Sequence, residues 1–222
     1  MSGAGISAES GIPTFRGDDG LWKNYRAEDL ATPQAFQKDP TLVWEWYNWR
    51  KAWVLQKEPN PAHFALVELK KKIPQLISVT QNVDSLHKHA GDHSIIEMHG
   101  NLFRTRCLKC SHIALAEHPV SPIDLCDSCG SGNLRPDVVW FGEQLDKTIV
   151  RELYEMLTRC DLILVVGTSG SVYPAAGFAV EVRRRGGDVI EINIEMPRRD
   201  YLRDLLIQGK AGEILPRIVE RL

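Results

Sequence analysis

Four cysteines sit in two tight pairs, Cys107-x-x-Cys110 and Cys126-x-x-Cys129, with a fifteen-residue spacer between them. Two C-x-x-C pairs separated by about 15 to 20 residues have the spacing of a zinc site. Each pair makes a short knuckle, two knuckles supply a tetrahedron of thiolates, and an ion so enclosed keeps no open position for water. The expected metal, one Zn²⁺ per chain, therefore holds the fold and does no chemistry. Two disulfides are the alternative reading. Against it, the chain opens as Met1-Ser2-Gly3 into a glycine loop with no apolar signal segment, so a reducing, cytoplasmic setting is expected. Cys160 sits at the start of an apolar run and is expected to be a core thiol.

A length of 222 residues suits one large domain or one with a small insert. The net charge of −2 gives no sign of a nucleic-acid surface, and the runs Lys70-Lys71-Lys72 and Arg183-Arg184-Arg185 read as solvated helix ends. The apolar run at 162–167 is far too short to cross a bilayer. Strand patterns at 76–79, 95–98, 138–140, 162–166 and 189–194 alternate with helical patterns at 62–71, 148–160, 175–185 and 214–222. That alternation predicts an α/β fold with a parallel sheet. An aromatic helical stretch at 40–55 and the cysteine segment at 106–134 interrupt it, and are expected to form a small second lobe.

Gly3-Ala4-Gly5-Ile6-Ser7-Ala8 fits the G-x-G-x-x-G/A dinucleotide fingerprint, whose glycines let the backbone approach a pyrophosphate. Alone it is a weak signal, because the upstream strand that would confirm it is missing from the chain. The wider set is specific. The stretch from Gly3 to Gly17, then Thr80-Gln81-Asn82-Val83-Asp84, Met98-His99-Gly100, the four cysteines, Val139-Trp140-Phe141-Gly142-Glu143 and Gly167-Thr168-Ser169 together resemble the sirtuins, NAD-dependent protein lysine deacylases.

The resemblance implies a Rossmann-type NAD-binding lobe at 1–26, 60–104 and 135–222, a helical module at 27–59 and a zinc module at 105–134. In that family NAD and acyl-lysine side chains of proteins meet between the lobes, and the products are free lysine, nicotinamide and O-acyl-ADP-ribose. By the same resemblance the cofactor lies against Gly3, Ala4, Gly5, Ser7, Ala8, Gly11, Thr14, Phe15, Arg16, Trp22, Gln81, Asn82, Asp84, Gly167, Thr168, Ser169, Asn193, Glu195 and Ala211. His99 matches the family's base. An imidazole with an ordinary pKa near 6.5 can take a proton at neutral pH, and among seven histidines His99 alone follows a strand pattern and precedes a glycine. Asn82 and Asp84 match the nicotinamide pocket, although Asx residues after a strand are equally suited to cap a helix.

Tyr47 and Arg50 stand three residues apart on the aromatic helix, so a phenol and a guanidinium project from one face toward a single carboxylate. Beside them Trp46, Trp49 and Trp53 form a stripe expected to be mostly core. The Tyr-x-x-Arg pair resembles the signature of class III sirtuins, which remove succinyl, malonyl and glutaryl groups. Ala31 matches the small residue that makes room for those longer chains. With Val139, Trp140, Phe141, Gly142 and Glu143, these residues form the expected substrate site, favouring acidic acyl-lysine with acetyl-lysine second. Sirtuins carry a helix and a hydrophobic strand ahead of the glycine loop. Their absence here is expected to leave unpaired backbone groups in the sheet, at about 1 to 3 kcal/mol each if dry. A catalytically silent NAD-binding or zinc scaffold, and a protein ADP-ribosyltransferase, are the alternatives.

Overall fold

Helix caps and strand runs in the sequence fall where the chain turns. The computed structural model describes residues 1–14, 25–116, 118–170, 172–195 and 203–222. The first half contains α1 (Ala4–Ala8), α2 (Ala27–Leu30), α3 (Pro33–Lys38), α4 (Pro40–Val54), α5 (Pro61–Lys72), β1 (Val79–Thr80), α6 (Leu86–His89) and β2 (Ile96–Glu97). There follow β3 (Gly100–Cys107), β4 (Ile113–Leu115), β5 (Leu134–Val138), α7 (Lys147–Leu157), β6 (Leu162–Val166), α8 (Ala175–Arg184), β7 (Asp188–Asn193), β8 (Leu205–Gln208) and α9 (Ala211–Arg221).

Several of the helices begin at side-chain caps. Asp39 accepts the Leu42 N–H at 2.9 Å ahead of Pro40, and Asn60 accepts the Ala62 N–H at 2.9 Å ahead of Pro61. In both, the proline opens the helix, where its missing N–H costs nothing. The basic runs close α5 and α8, as expected, where cations oppose the negative end of the helix dipole.

Strands β6, β7 and β8 are parallel neighbours, and β1 pairs in parallel with β2. Ser2 joins the two groups, bridging Thr80 on one side and Val166 on the other. The Ser2 N–H donates to Val79 O at 2.9 Å, Gln81 N–H to Ser2 O at 3.0 Å, Val166 N–H to Met1 O at 2.9 Å and Gly3 N–H to Val166 O at 3.0 Å. The first three residues thus act as a short central strand, and at this end of the sheet the backbone groups expected to be unpaired have partners.

The cysteine segment builds a separate antiparallel sheet, β4-β3-β5. The expected strand at 138–140 is therefore corrected. Only Val138 belongs to β5, which pairs with β3 and not with the parallel sheet. Neither β3 nor β8 is among the strand patterns read from the sequence. Arg104 and Arg106 of β3 both bind Asp137 of β5, at 2.8 and 2.7 Å, so a charged strand is held by ion pairs across the ladder.

Apolar burial falls into three clusters. One packs Ile6, α5 and α9 against Val166 and Ile192; one packs α7 and α8 against Ile163, Val165 and Val189. The third gathers Leu30, Ala31, Val43, Trp44, Trp46, Tyr47, Leu102 and Trp140. The tryptophan stripe needs correction. Trp46 is buried, but Trp49 is 39% exposed and lines a surface cleft with Trp53 and Arg50, because the buried face of α4 runs through Val43, Trp44, Tyr47, Lys51 and Val54. Among the described residues no helix is long and apolar enough to cross a membrane.

Candidate active site

Parallel strands present their carboxyl ends at one edge of a sheet, which is where open α/β sheets bind ligands. At that edge residues 1–3 lead into Ala4, β1 into Gln81, Asn82 and Asp84, β2 into His99, β6 into Gly167, Thr168 and Ser169, and β7 into Asn193. The expected residues are thus brought together by the chain's own topology.

The two glycine turns touch. Gly5 N–H donates to Gly167 O at 2.8 Å. Gly167 has φ +59, and a Cβ there would lie 2.5 Å from Ile6 N. Asn193 extends the contact, its amide donating to Thr168 O at 2.8 Å. Thr168 and Ala211 are buried, whereas Ala8, Gly11, Ser169 and Glu195 are exposed. Thr14 is partly buried, and Phe15, Arg16 and Trp22 lie outside the described residues.

A buried polar network stands behind this edge. Ser7 Oγ donates to Asp84 Oδ2 at 2.7 Å, and the Asn82 amide donates to Ser7 Oγ at 3.0 Å and Gly3 O at 3.1 Å. Asp84 also accepts the Leu86 N–H at 3.0 Å, so one oxygen does the work of a helix cap while the other faces Ser7. Burial raises the Asp84 carboxyl above its ordinary range, although the Leu86 and Ser7 donors and the Arg50 cation oppose the shift. Asn60 and His63 extend the network without any notice from the motifs. Asn60 Nδ2 donates to Ile6 O at 2.7 Å, and His63 Nδ1 accepts the Asn60 N–H at 3.2 Å. The signal for Asn60 lay in the Asn-Pro pair that opens α5.

His99 sits after β2 with Nδ1 2.9 Å from Gln81 O. A carbonyl only accepts, so Nδ1 carries the proton and Nε2 of the neutral ring keeps its lone pair. Burial holds the His99 pKa below its ordinary value, against the opposing Gln81 contact. The His99 carbonyl in turn accepts the Val139 N–H at 2.9 Å, tying the histidine to the 139–143 segment. Gly100 follows with φ +81, and a Cβ there would fall 2.0 Å from Asp137 O, so only glycine fits beside that strand.

The helical segments meet the same loop from the other side. Phe141 N–H donates to Ala31 O at 2.9 Å, and Trp140 Nε1–H donates to Tyr47 Oη at 2.8 Å. Tyr47 is buried, which pushes its phenol up to about 12 and keeps it a neutral donor. Arg50, half-buried, lines one cleft with Ala4, Ser7, Asn82 and Asp84. Burial lowers its pKa, while Tyr47 and Asp84 support its charge. Phe141 and Gly142 are exposed, and Glu143 accepts the Trp140 N–H at 2.9 Å.

The cysteines form a distinct centre. All four Sγ atoms lie within 4.8 Å of one another, with Cys107–Cys129 and Cys110–Cys126 both at 3.7 Å. A tetrahedron with Zn–S near 2.3 Å has S···S edges of about 3.8 Å, while a disulfide needs about 2.05 Å. The four cysteines fit a structural zinc ion and no disulfide.

A parallel sheet with paired glycine turns at its carboxyl edge, a tautomer-fixed histidine and a Cys₄ module defines a nucleotide-binding enzyme with a structural metal centre. The Sir2 family model matches residues 3–174, and the chain belongs to that family. An NAD-dependent protein deacylase from Thermococcus kodakarensis is 51% identical over 229 residues, covering 100% of this chain and 89% of the relative. The NAD-dependent protein deacylase sirtuin-5, mitochondrial, of Canis lupus familiaris is 44% identical, covering 97% of this chain and 78% of its own length. Among solved structures, a Sir2 homolog–NAD complex superposes with a TM-score of 0.92 at 46% identity, covering 99% of this chain and 86% of the other.

Proposed function

We propose that this protein is an NAD-dependent protein-lysine deacylase that prefers acidic acyl groups, succinyl and malonyl, with acetyl-lysine as a second substrate. The observation that carries the acyl preference is a neutral Tyr47 phenol, oriented by Trp140, one helical turn from an Arg50 guanidinium in the cleft shared with Ser7, Asn82 and Asp84. Two donors converging on one carboxylate make a charge-assisted contact that a methyl group does not engage.

When bound, NAD supplies a ribose that accepts the acyl group as nicotinamide departs. Gly3, Ala4, Gly5, Ser7, Ala8, Gly11, Thr14, Gly167, Thr168, Ser169, Asn193, Glu195 and Ala211 would hold it along the sheet edge. Asn82, Asp84 and Gln81 would line the nicotinamide end. His99 takes a ribose hydroxyl proton at Nε2, its ring fixed by Gln81. Ala31, Tyr47, Arg50 and 139–143 would receive the acyl-lysine, and Cys107, Cys110, Cys126 and Cys129 would hold zinc without touching substrate. The lobe boundaries proposed are 1–26 with 60–104 and 135–222, then 27–59, and 105–134.

A silent scaffold is a poorer account, because a scaffold has no use for both a tautomer-fixed His99 and an oriented Tyr47 phenol. Protein ADP-ribosyl transfer would use the same NAD residues but would leave Tyr47 and Arg50 without a task. We propose no nucleic-acid partner, given the net charge of −2, and a cytoplasmic setting, in which thiolates stay reduced for zinc. Incubation with NAD and a succinyl-lysine peptide, followed by mass analysis, tests the reading. Free lysine peptide, nicotinamide and O-succinyl-ADP-ribose are expected; an ADP-ribosylated peptide would contradict it.

A further inference from the structure

Resting on the acidic-acyl reading, we propose that Arg135 is a positioning residue for acyl selection, fixing the Tyr47 hydroxyl through the indole of Trp140. Arg135 lies in β5, opposite Arg106 of β3, and its side chain is 12% exposed. Its guanidinium grips both oxygens of Glu143, at 2.5 and 2.9 Å, and donates to Val138 O at 2.8 Å. The guanidinium carbon also stands 3.5 Å from the centroid of the Trp140 ring. Glu143 accepts the Trp140 N–H at 2.9 Å and donates its own N–H to Trp140 O at 3.0 Å. One ion pair therefore clamps Trp140 at both its backbone and its ring, and Phe36 packs against the same indole at 5.2 Å.

An indole held this firmly has one polar atom, and it is spent on Tyr47. Because an indole N–H only donates, the phenol oxygen must accept from it, and the phenol's own proton is directed to a different acceptor. A substrate carboxylate beside Arg50 is such an acceptor. A loose indole would let the phenol rotate or shift, and small misplacements at a binding group are costly. The planar fork of arginine is what permits the bidentate grip and the stack together, which lysine's point charge does not reproduce.

The test uses the full chain carrying Arg135→Lys, Arg135→Met, Arg50→Met and the Arg135→Lys/Arg50→Met pair. For each, kcat and KM are measured for succinyl- and acetyl-lysine peptides, with NAD KM and melting temperature as fold controls. Arg135→Lys is expected to raise the succinyl KM so that the succinyl-to-acetyl ratio of kcat/KM falls by about 10-fold, with the same change nearly silent once Arg50 is gone. Equal losses on both peptides, or full additivity with Arg50→Met, would overturn the proposal and make Arg135 a turn clamp only. If Arg135→Met fails to fold, the lysine variant still decides. Should the unmutated chain show no succinyl preference, the acidic-acyl reading fails first, and the parent measurement alone reveals it.

Discussion

His99 Nδ1 and the carbonyl oxygen of Gln81 stand 2.9 Å apart, which fixes the tautomer and leaves Nε2 as the acceptor. General-base catalysis of this kind is worth about 10² to 10⁴-fold. His99→Ala is expected to lose at least that in deacylation while NAD affinity changes by only a few-fold. Because burial lowers the His99 pKa, the acid limb of the kcat/KM profile should lie below the ordinary histidine range. An acid limb at or above neutral pH, or near-normal turnover in His99→Ala, would assign the base elsewhere.

Two other histidines tie stability to pH. His63 and His87 are buried with ring centroids 4.9 Å apart, and burial lowers their pKa values to about 3 and about 4. A lowered folded pKa means that the unfolded chain binds the proton more readily. Each contribution is therefore complete above about pH 6.5 and is lost as pH falls toward about 4 for His87 and about 3 for His63. Urea denaturation at pH 5 should show a loss on the order of 1 to 2 kcal/mol per histidine relative to pH 7, and the two losses should add, because at that pH both rings stay neutral in the fold while both take up protons in the unfolded chain. A flat stability between those values would mean the rings already carry protons in the fold.

The paired glycine turns predict a sharp backbone requirement. In Gly167→Ala the new Cβ would meet Ile6 N at 2.5 Å from a positive φ. A cost of roughly 1 to 3 kcal/mol is expected from the conformation alone, together with weakened NAD binding as the turn moves away from Gly5. Calorimetry and NAD titration check both; unchanged values would show that the contact has slack.

Removal of the metal should unfold the segment that carries β4. One zinc ion per chain is expected, and a strong chelator should lower the melting temperature, since structural zinc binding is folding free energy. Cys126→Ser should mimic chelation, because Cys126 is a buried member of the four-thiol cluster. Elemental analysis without zinc would refute the assignment.

Much of the candidate site is legible in the sequence because its parts are local in the chain. The glycine loop, Asn82 with Asp84, His99 with Gly100, and the cysteine pairs each sit within a few residues of a strand end or knuckle. Strand β3 was not legible, since Arg104 and Arg106 make it look like a surface segment until Asp137 arrives from β5. Strand β8 is short with exposed residues at both its ends, Leu205 and Gln208, and its pairing to β7 is decided by the fold. The tryptophan stripe misled because α4 has two apolar faces, and only contact with Leu102 and Trp140 tells which is core. His63 and Arg135 gave no motif, because each acts through partners distant in sequence or around a turn.

The Tyr47 and Arg50 pair predicts a separable acyl preference. A charge-assisted contact contributes roughly 1.5 to 3 kcal/mol, or about 10- to 150-fold in kcat/KM. Arg50→Met should lose mainly succinyl activity. Arg50→Lys should be intermediate, because the charge stays while the planar fork is lost. Full succinyl activity in the lysine variant would show that charge alone selects the acyl group.

The most direct measurement places succinyl- and acetyl-lysine forms of one peptide in a single reaction with the chain and NAD, and follows both by mass spectrometry. The succinyl peptide should be consumed at least about 10-fold faster, with O-succinyl-ADP-ribose appearing first. Equal or faster consumption of the acetyl peptide would contradict the acidic-acyl assignment, and no NAD-dependent consumption of either would contradict the deacylase itself.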